Sequence, residues 1–489
     1  MRQDKGRGVV IVDKSDYIGK STAFLQGNEF EILENDPTKT FQARVQRTLL
    51  RMKNAFTPSQ YKQMYPSSSR PGLFFGLAKV HKLKKENYNV NELPLRPVIS
   101  NIGTATYNIS KYLATLLQPI AKSEFTIGST KDFIQKLKGK NIAEGYEMVS
   151  FDVVSLFTSV PLDFTIELIL DKIYNEKLIE TKLKRADMKT LLELCTKDMH
   201  FTFDGKIYRQ VDGVAMGSPL GPVIANVFMV ELERRLMPSM GDKVSLWFRY
   251  VDDTFTFIKK GEIENIVQIL NSFHDSIKFT FEKEKEHTLS FLDVNVTKNH
   301  DGSFKTDIHR KKTDTNVYLS WKSFAPKIWK TGTLKGLIRR AFIICSSEEC
   351  RNKEINFLRN VFTKMNGFPS KVVGKIINEV RTKMSIEEDP SSNDSNPRGP
   401  AEIPRTASAD TIETRVNDEV STPYICLPYK GQQGDEVVRK FKSYLKQTLP
   451  IHVKPRIIYK GKKTGSFFSN KRQDSSGTRV RSNIRVQGN

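Results

Sequence analysis

The feature that most constrains this sequence is a pair of adjacent acids, Asp252 and Asp253, between two apolar segments with high β-strand propensity. Residues 246–250 precede the pair, and residues 254–258 follow it with alternating threonine and phenylalanine. Ionised carboxylates inside an apolar strand pair destabilise a fold unless water or a cation solvates them. At the tip of a hairpin, both carboxylates can project from one turn. The pattern therefore predicts either a metal-binding hairpin or an ordinary polar turn, where Asp is common.

A third acid ends another apolar strand pattern. Residues 147–151 read as a short strand, and Asp152 comes directly after them. Phosphoryl transfer with two metal ions needs several carboxylates around ions roughly 3.5–4 Å apart. Mg²⁺ prefers few carboxylates together with substrate phosphates. One acid at the end of a strand and two on a neighbouring hairpin would meet this requirement.

The stretch between these acids contains a loop rich in glycine and proline, residues 213–222, which leads into an apolar helical pattern. Repeated Gly and Pro before a helix allow the backbone to approach a ligand closely. Taken alone, such a stretch is typical of any loop that leads into a helix. Helical patterns over residues 164–176 and 224–235, mixed with the strands, predict an α+β domain with an antiparallel sheet.

In their order along the chain, these three elements resemble the palm of reverse transcriptases. Asp152 matches motif A, Gly217-Ser218-Pro219 matches motif B, and the Tyr-Val-Asp-Asp of residues 250–253 matches motif C. The surrounding sequence is similar to the polymerases of Penelope-like retroelements, over a region from about residue 4 to about residue 369. The segments that carry this similarity are residues 76–82, 95–100, 213–218, 291–294 and 310–315. The resemblance implies a right-hand polymerase of fingers, palm and thumb that copies RNA into DNA for a retrotransposon.

The resemblance also implies roles for individual residues. Asp152, Asp252 and Asp253 would be catalytic and would hold two Mg²⁺ ions, with Mn²⁺ as an alternative. Phe157 matches the bulky side chain that disfavours ribonucleotides, although core packing would also explain an aromatic residue there. Arg96 resembles the fingers arginine that meets the triphosphate, a task suited to its planar donor fork.

The other implied contacts are with nucleotide, primer and template. Those assigned to the nucleotide are Lys79, Gly217, Ser218 and Pro219, with His81 close by in sequence. Those assigned to primer or template are Phe291, Leu292, Asp293, Arg310, Lys311 and Lys312.

The charge balance independently favours a nucleic-acid partner. The formal net charge of +23 attracts polyanions, and nucleic acid is the commonest of them. A soluble protein with a basic tail is the alternative interpretation. With the motifs, the charge predicts an RNA template, a DNA primer and deoxynucleoside triphosphates as partners. No apolar run approaches the roughly 20 residues that span a bilayer, and the polar N-terminus lacks a secretory signal. We therefore expect a nuclear or cytoplasmic protein that is not secreted and does not enter a membrane.

Composition and motif position divide the chain into predicted regions. Residues 1–145 would be the fingers, expected to be incomplete at the N-terminus, residues 146–298 the palm, and residues 299–384 a helical thumb. Residues 385–423 are acidic and rich in Ser, Asn and Pro, which predicts a disordered linker. Residues 424–489 would be a small basic segment that ends in a disordered tail, residues 454–489. It has no recognisable GIY-YIG nuclease, although most Penelope-like proteins carry one.

Three alternatives to a retrotransposon reverse transcriptase stay open on the sequence. A telomerase-type polymerase is one, because telomerase and Penelope-like elements resemble each other. Synthesis of RNA rather than DNA is another, although a small side chain in place of Phe157 would be expected for it. The third is a degenerate, truncated retroelement product that only binds nucleic acid. The four cysteines lack the spacing of a zinc site, which predicts ordinary buried thiols.

Overall fold

The computed structural model of the chain consists of two compact units. Unit 1 comprises Met1–Val317 and Ile338–Asn360, and unit 2 comprises Tyr318–Leu337 and Val361–Asn489. His81 and Lys312, which the sequence singles out, lie outside the described residues, as do residues 389–423 of the predicted linker and 461–489 of the predicted tail. The residues that the structure describes are 3–5, 10–27, 29–80, 93–211, 213–311, 314–388, 424–429, 431–449, 453 and 456–460.

Helices and strands alternate irregularly along the described residues. The helices are α1 Lys14–Leu25, α2 Thr38–Arg51, α3 Pro58–Met64, α4 Tyr107–Leu116, α5 Thr130–Leu137, α6 Leu156–Ser159, α7 Leu162–Tyr174, α8 Arg185–Thr196, α9 Gly221–Met240, α10 Ile263–Asn271, α11 Lys327–Ile344, α12 Glu348–Asn360, α13 Ser370–Glu388 and α14 Gly431–Thr448. The strands are β1 Phe30–Leu33, β2 Gly72–Ala78, β3 Leu95–Ser100, β4 Tyr146–Val153, β5 His200–Phe203, β6 Lys206–Gln210, β7 Val244–Tyr250, β8 Asp253–Lys259, β9 Phe279–Lys283, β10 Thr288–Phe291, β11 Val294–Lys298, β12 Phe304–Ile308, β13 Tyr424–Pro428 and β14 Arg456–Lys460.

The sheet that carries the three acids has the strand order β7-β8-β4-β9, and its neighbouring strands are antiparallel. Successive side chains of a strand face opposite sides of a sheet. Phe151 on β4 therefore packs into one hydrophobic core, which includes residues of α7, α9 and α10. Phe255 and Phe257 on β8 pack into a second core, where Phe133 of α5 lies. Cores on both faces fix the register of the sheet, because a slip of one residue would exchange the two faces.

A five-stranded sheet with the order β1-β6-β5-β2-β3 forms another part of unit 1. Its strands are antiparallel except for β2 and β5, which pair in parallel at Gly72 and Phe201. A glycine suits that position because a Cβ on Gly72 would lie 3.1 Å from the Cβ of Phe201. Strands β10, β11 and β12 form a third, antiparallel sheet.

Unit 2 is built around aromatic packing and a small β-α-β element. The rings of Tyr318 and Phe362 stack at 5.0 Å, and Phe368 lies 5.0 Å from both Phe362 and Trp321. Further along the chain, β13 and β14 pair in parallel, and α14 connects them. A parallel pair of this kind requires a crossover connection, which α14 supplies.

The predicted boundaries of the linker and of the disordered tail are both wrong by a few residues. Residues 385–388 belong to α13 and not to a linker, because adding residues to a helix that has already formed costs little. Residues 456–460 form β14 although they fall in the predicted disordered tail. The run Ile457-Ile458-Tyr459 has the β-branched and aromatic side chains that strands favour.

The predicted mixed α+β class with antiparallel sheets is confirmed. The strands expected at residues 147–151, 246–250 and 254–258 are present as β4, β7 and β8. The helices expected at residues 164–176 and 224–235 are present as α7 and α9. The right-hand layout and its region boundaries stay predictions, and residues 299–384 are divided between the two units. Within the described residues, no helix combines the length and hydrophobicity that a membrane span requires.

Candidate metal centre

The three predicted acids converge at one end of the β7-β8-β4-β9 sheet. Asp152 is the Cα partner of Asp253 in the pairing of β4 with β8. Asp252 lies in the two-residue loop that joins Tyr250 of β7 to Asp253 of β8. One carboxylate oxygen from each of the three acids lies within 4.8 Å of the others. The predicted convergence is therefore confirmed, and its cause is the antiparallel register that places the end of β4 beside the hairpin.

The electrostatics of the cluster favour a bound cation. Burial, followed by the charges of Asp252 and Asp152, raises the pKa of Asp253 from its ordinary value to about 6. The charges of Lys311 and Lys5 oppose this rise in pKa. Carboxylates this close repel one another when ionised, so a divalent cation between them would stabilise the charged form. Oxygen-only ligands of this kind suit Mg²⁺ or Mn²⁺.

The hairpin turn between the acids has an unusual backbone. Val251 has a φ of +60°, in the left-handed region that β-branched residues rarely adopt. A two-residue hairpin loop requires positive φ at its first position when it has type II′ geometry, and glycine is the usual residue there. Val251 therefore holds a strained conformation immediately before Asp252, and the sequence pattern offered no sign of it.

The glycine-rich loop packs against the elements that carry Phe157 and Arg96. The backbone N–H of Val214 donates to the carbonyl oxygen of Phe157 at 2.7 Å. On the other side of the loop, the N–H of Ile99 in β3 donates to the carbonyl of Met216 at 2.9 Å. Gly217 is needed at this contact, because its φ is +129° and a Cβ would lie 2.3 Å from the carbonyl oxygen of Ile99. The loop thus joins α6 to β3.

The side chains assigned to this region differ in exposure. Phe157 on α6 is half-buried against the first core. Ser218 is buried, and its hydroxyl accepts from the N–H of Leu220 at 3.3 Å. Pro219 is half-buried. A half-buried Phe157 both packs in the core and presents part of its ring, so the two interpretations of this residue are compatible.

The N-terminal segment brings two residues into the site that the motif analysis missed. The N–H of Asp4 donates to the carbonyl of Ala78 in β2, and the Asp4 carboxylate, 4% exposed, lies 2.9 Å from the Nε of Arg96. Lys5 follows directly, is exposed, and interacts electrostatically with Asp253. Lys79 continues from β2, and its N–H donates to the carbonyl of Pro94. These contacts link residues distant in sequence, so no local pattern could reveal them.

The residues assigned to primer and template are placed differently from one another. Phe291 is 2% exposed and packs in the second core, so its ring does not reach the surface. Leu292 and Asp293 form the two-residue loop between β10 and β11. Arg310 pairs with Glu354 and lies 4.0 Å over the ring of Phe357. A primer or template contact by these residues stays a prediction.

Comparisons with known proteins give a short family match and several structural similarities. The animal helix-turn-helix domain family matches residues 317–378. No curated protein matches the chain. Telomerase from Candida albicans, in a complex with a TWJ fragment of telomeric RNA, is 11% identical with a TM-score of 0.45 over 73% of this chain and 67% of that one.

Two further solved structures resemble the chain to a similar degree. Apo telomerase from Candida tropicalis, truncated of its C-terminal domain, is 11% identical with a TM-score of 0.38 over 60% of this chain and 59% of that one. The Sicinivirus 3Dpol RNA-dependent RNA polymerase is 12% identical with a TM-score of 0.39 over 66% of this chain and 71% of that one.

Proposed function

We propose that this chain is an RNA-directed DNA polymerase that extends a primer on an RNA template, of the Penelope-like retrotransposon type that its motifs resemble. The observation that carries the proposal is the convergence of three carboxylates, from two segments far apart in sequence, within 4.8 Å of one another. Structural acids are usually dispersed or paired with cations, because clustered like charges destabilise a fold. A cluster that raises the pKa of Asp253 to about 6 is better explained by cation binding.

Asp152, Asp252 and Asp253 would hold the two Mg²⁺ ions of such a polymerase. When bound, these ions would neutralise developing negative charge on the attacking and leaving oxygens of the phosphoryl transfer. The proteins that catalyse this chemistry act mainly by positioning and electrostatic stabilisation. For this reason the surrounding cations and the shape of the pocket matter as much as the acids.

The neighbouring side chains would bind and orient the incoming nucleotide. Lys5 and Lys311 interact electrostatically with Asp253, so their positive charges would also attract a triphosphate held beside it. Arg96 is 44% exposed and is oriented by Asp4, which leaves part of its guanidinium accessible to phosphate. Phe157 and the loop at Gly217 would form the surface on which the sugar lies.

The proposal is tested by primer extension on an RNA template with Mg²⁺. The wild-type chain should incorporate deoxynucleotides, and Asp152→Asn should abolish incorporation. The matched control is Asp242→Asn, an exposed acid in the same unit whose side chain pairs only with exposed Lys259 among the ion pairs of the described residues. Equal incorporation by all three proteins, or none by the wild type, would instead favour a product that only binds nucleic acid.

A second experiment separates DNA synthesis from RNA synthesis. Phe157→Ala should raise the kcat/KM for ribonucleotides relative to deoxynucleotides by roughly 10²-fold, because the side chain that excludes the 2′-hydroxyl is removed. Phe157→Tyr retains the bulk and should leave the preference close to that of the wild type. A wild-type chain that already prefers ribonucleotides would overturn the assignment to DNA synthesis.

A further inference from the structure

Arg249 lies three residues before Asp252 and is completely buried, with its side chain 0% exposed. Its Nε and Nη2 donate to the two carboxylate oxygens of Glu233 on α9, at 2.5 Å and 3.2 Å. Its Nη1 donates to the Oδ1 of Asn226 at 2.9 Å and to the backbone carbonyl of Val251 at 3.1 Å. One guanidinium therefore connects two positions of α9 with the turn that carries the acids.

Glu233 is also 0% exposed and is fully engaged. Besides Arg249, it accepts from the indole Nε1 of Trp247 at 3.1 Å and from the hydroxyl of Ser123 at 2.9 Å. The backbone of Arg249 is held as well, because its N–H donates to Phe125 at 2.8 Å and its carbonyl accepts from Ile127 at 2.7 Å. The guanidinium is thus fixed from several directions and cannot follow a movement of the turn.

A buried ion pair adds little to the stability of a fold, because the free energy needed to remove two charges from water offsets most of their mutual attraction. An apolar pair of similar volume would fill the same space. What an apolar pair could not do is donate to the carbonyl of Val251. That residue needs a restraint, because a β-branched side chain at a φ of +60° is strained and the residue after it is Asp252.

We propose that Arg249 is a positioning residue: paired with Glu233, it holds the Val251 carbonyl and so fixes Asp252 in the geometry that the metal ions require. Because α9 begins at Gly221, at the end of the glycine-rich segment, the same guanidinium also couples that segment to the acid hairpin. This inference rests on the proposed polymerase function. It adds a residue that touches neither substrate nor metal and acts through the backbone of Val251.

The test uses the full chain with Glu233→Gln and Arg249→Met combined. The amide that replaces the Glu233 carboxylate can still accept from Trp247 and bond Ser123, and both charges are removed together, so no buried charge is left unpaired. We expect a folded protein with an unchanged affinity for primer–template in fluorescence anisotropy. Mn²⁺ binding, followed by electron paramagnetic resonance without nucleotide or primer, should weaken several-fold. The kcat for nucleotide incorporation should fall by about 10- to 100-fold, as expected when a reacting group is slightly misplaced.

A suppressor variant distinguishes positioning from a purely structural role. Adding Val251→Gly to the double variant should raise both its Mn²⁺ affinity and its kcat several-fold toward the wild-type values, because glycine adopts a positive φ without a restraint. The same substitution in the wild type should not increase either quantity. A folded double variant with wild-type kcat and wild-type Mn²⁺ affinity would overturn the proposal.

Arg249→Lys covers the outcome in which the double variant does not fold. Lysine keeps the positive charge beside Glu233, but its single ammonium lacks the fork that spans Glu233 and Val251 together. We expect reduced kcat and weaker Mn²⁺ binding, and wild-type values for both in this variant would refute the positioning role. If the wild type makes no DNA at all, the polymerase proposal fails, whereas the comparison of Mn²⁺ affinities still tests the role of Arg249.

Discussion

Two hairpins of unit 1 have nearly the same loop and opposite surroundings. The β7–β8 hairpin turns through Val251 and Asp252, and the β10–β11 hairpin turns through Leu292 and Asp293. Each loop begins with an apolar residue at positive φ, +60° in Val251 and +56° in Leu292, and each continues with an aspartate. A similar local conformation therefore carries a similar side chain in both places.

The difference lies in what the two aspartates meet. Asp293 accepts from the hydroxyl of Thr130 at 2.5 Å and pairs with Arg340 at 2.7 Å. Asp252 instead converges with two further carboxylates. The cation beneath its turn, Arg249, is committed to Glu233. One loop is thus electrostatically satisfied by an arginine and a hydroxyl of the protein, whereas the other lies in a cluster of acids whose mutual repulsion a bound divalent cation would relieve. The turn alone does not make a metal site.

The largest expected effect is on kcat, which should fall far more when the aspartate of the β7–β8 loop is replaced than when that of the β10–β11 loop is replaced. Asp252→Asn should lower kcat by on the order of 10³-fold, because a metal ligand contributes several kcal/mol of transition-state stabilisation. Asp293→Asn should change kcat by less than about tenfold while it lowers the melting temperature, since it removes the charge that pairs with Arg340. Steady-state primer extension and thermal unfolding of both variants check this. A similar loss of kcat in both would mean that the hairpins are functionally alike.

The next effect concerns the two lysines that interact with Asp253 beside the β7–β8 hairpin. Lys5→Ala and Lys311→Ala should each raise the KM for deoxynucleoside triphosphates by about tenfold, which corresponds to ~1.4 kcal/mol of lost attraction to phosphate. The effect should shrink at high salt, because ions screen exposed charges. Lys140→Ala, at an exposed position outside the site, is the matched control. If the KM stays unchanged in both Lys5→Ala and Lys311→Ala, these two side chains do not contact the nucleotide.

The pH dependence of Asp253 gives a smaller effect with a definite sign. Because burial and its two acidic neighbours raise the pKa of Asp253 to about 6, the folded chain holds a proton that the unfolded chain has released between about pH 4 and 6. The contribution of this group to the free energy of unfolding therefore falls as pH rises through that window. Divalent cation binding must displace the proton, so it should weaken as pH falls below about 6.

Asp253→Asn isolates this contribution. Without metal, the variant should melt at a higher temperature than the wild type at pH 7.5, by a few degrees, and the difference should decrease toward pH 4. Thermal unfolding of both proteins in a chelator across that range provides the measurement. A difference that does not change with pH would show that the carboxyl group of Asp253 is not perturbed.

The acid cluster was predictable from sequence because its signals are local. An apolar strand that ends in Asp152 and a β-prone pair that flanks Asp252 and Asp253 can be recognised in short windows. The antiparallel pairing of β4 with β8 then places Asp152 beside the hairpin that carries the other two acids. The α+β class followed for the same reason.

The parts that escaped prediction depend on long-range contacts or on backbone geometry. Asp4 meets Arg96 across 92 residues, which no window of sequence contains. The buried partner of Arg249 lies on a helix that precedes its strand, and the positive φ of Val251 contradicts the usual preference for glycine. Aromatic residues were ambiguous too, because Phe291 fits both an exposed primer contact and the buried position that it occupies.

The smallest expected effect is the loss of stability when Arg340, the partner of Asp293, is replaced. The side chains of Arg340 and Asp293 are 32% and 36% exposed, whereas those of Arg249 and Glu233 are both 0% exposed. Arg340→Met should therefore destabilise the protein by no more than about 1 kcal/mol, as measured by chemical denaturation. Most of that difference should disappear at high salt, because an exposed pair is already screened there. A loss of stability that is larger and insensitive to salt would mean that the turn at Leu292 depends on Arg340 as the turn at Val251 depends on Arg249. The two hairpins would then differ only in the acids around them.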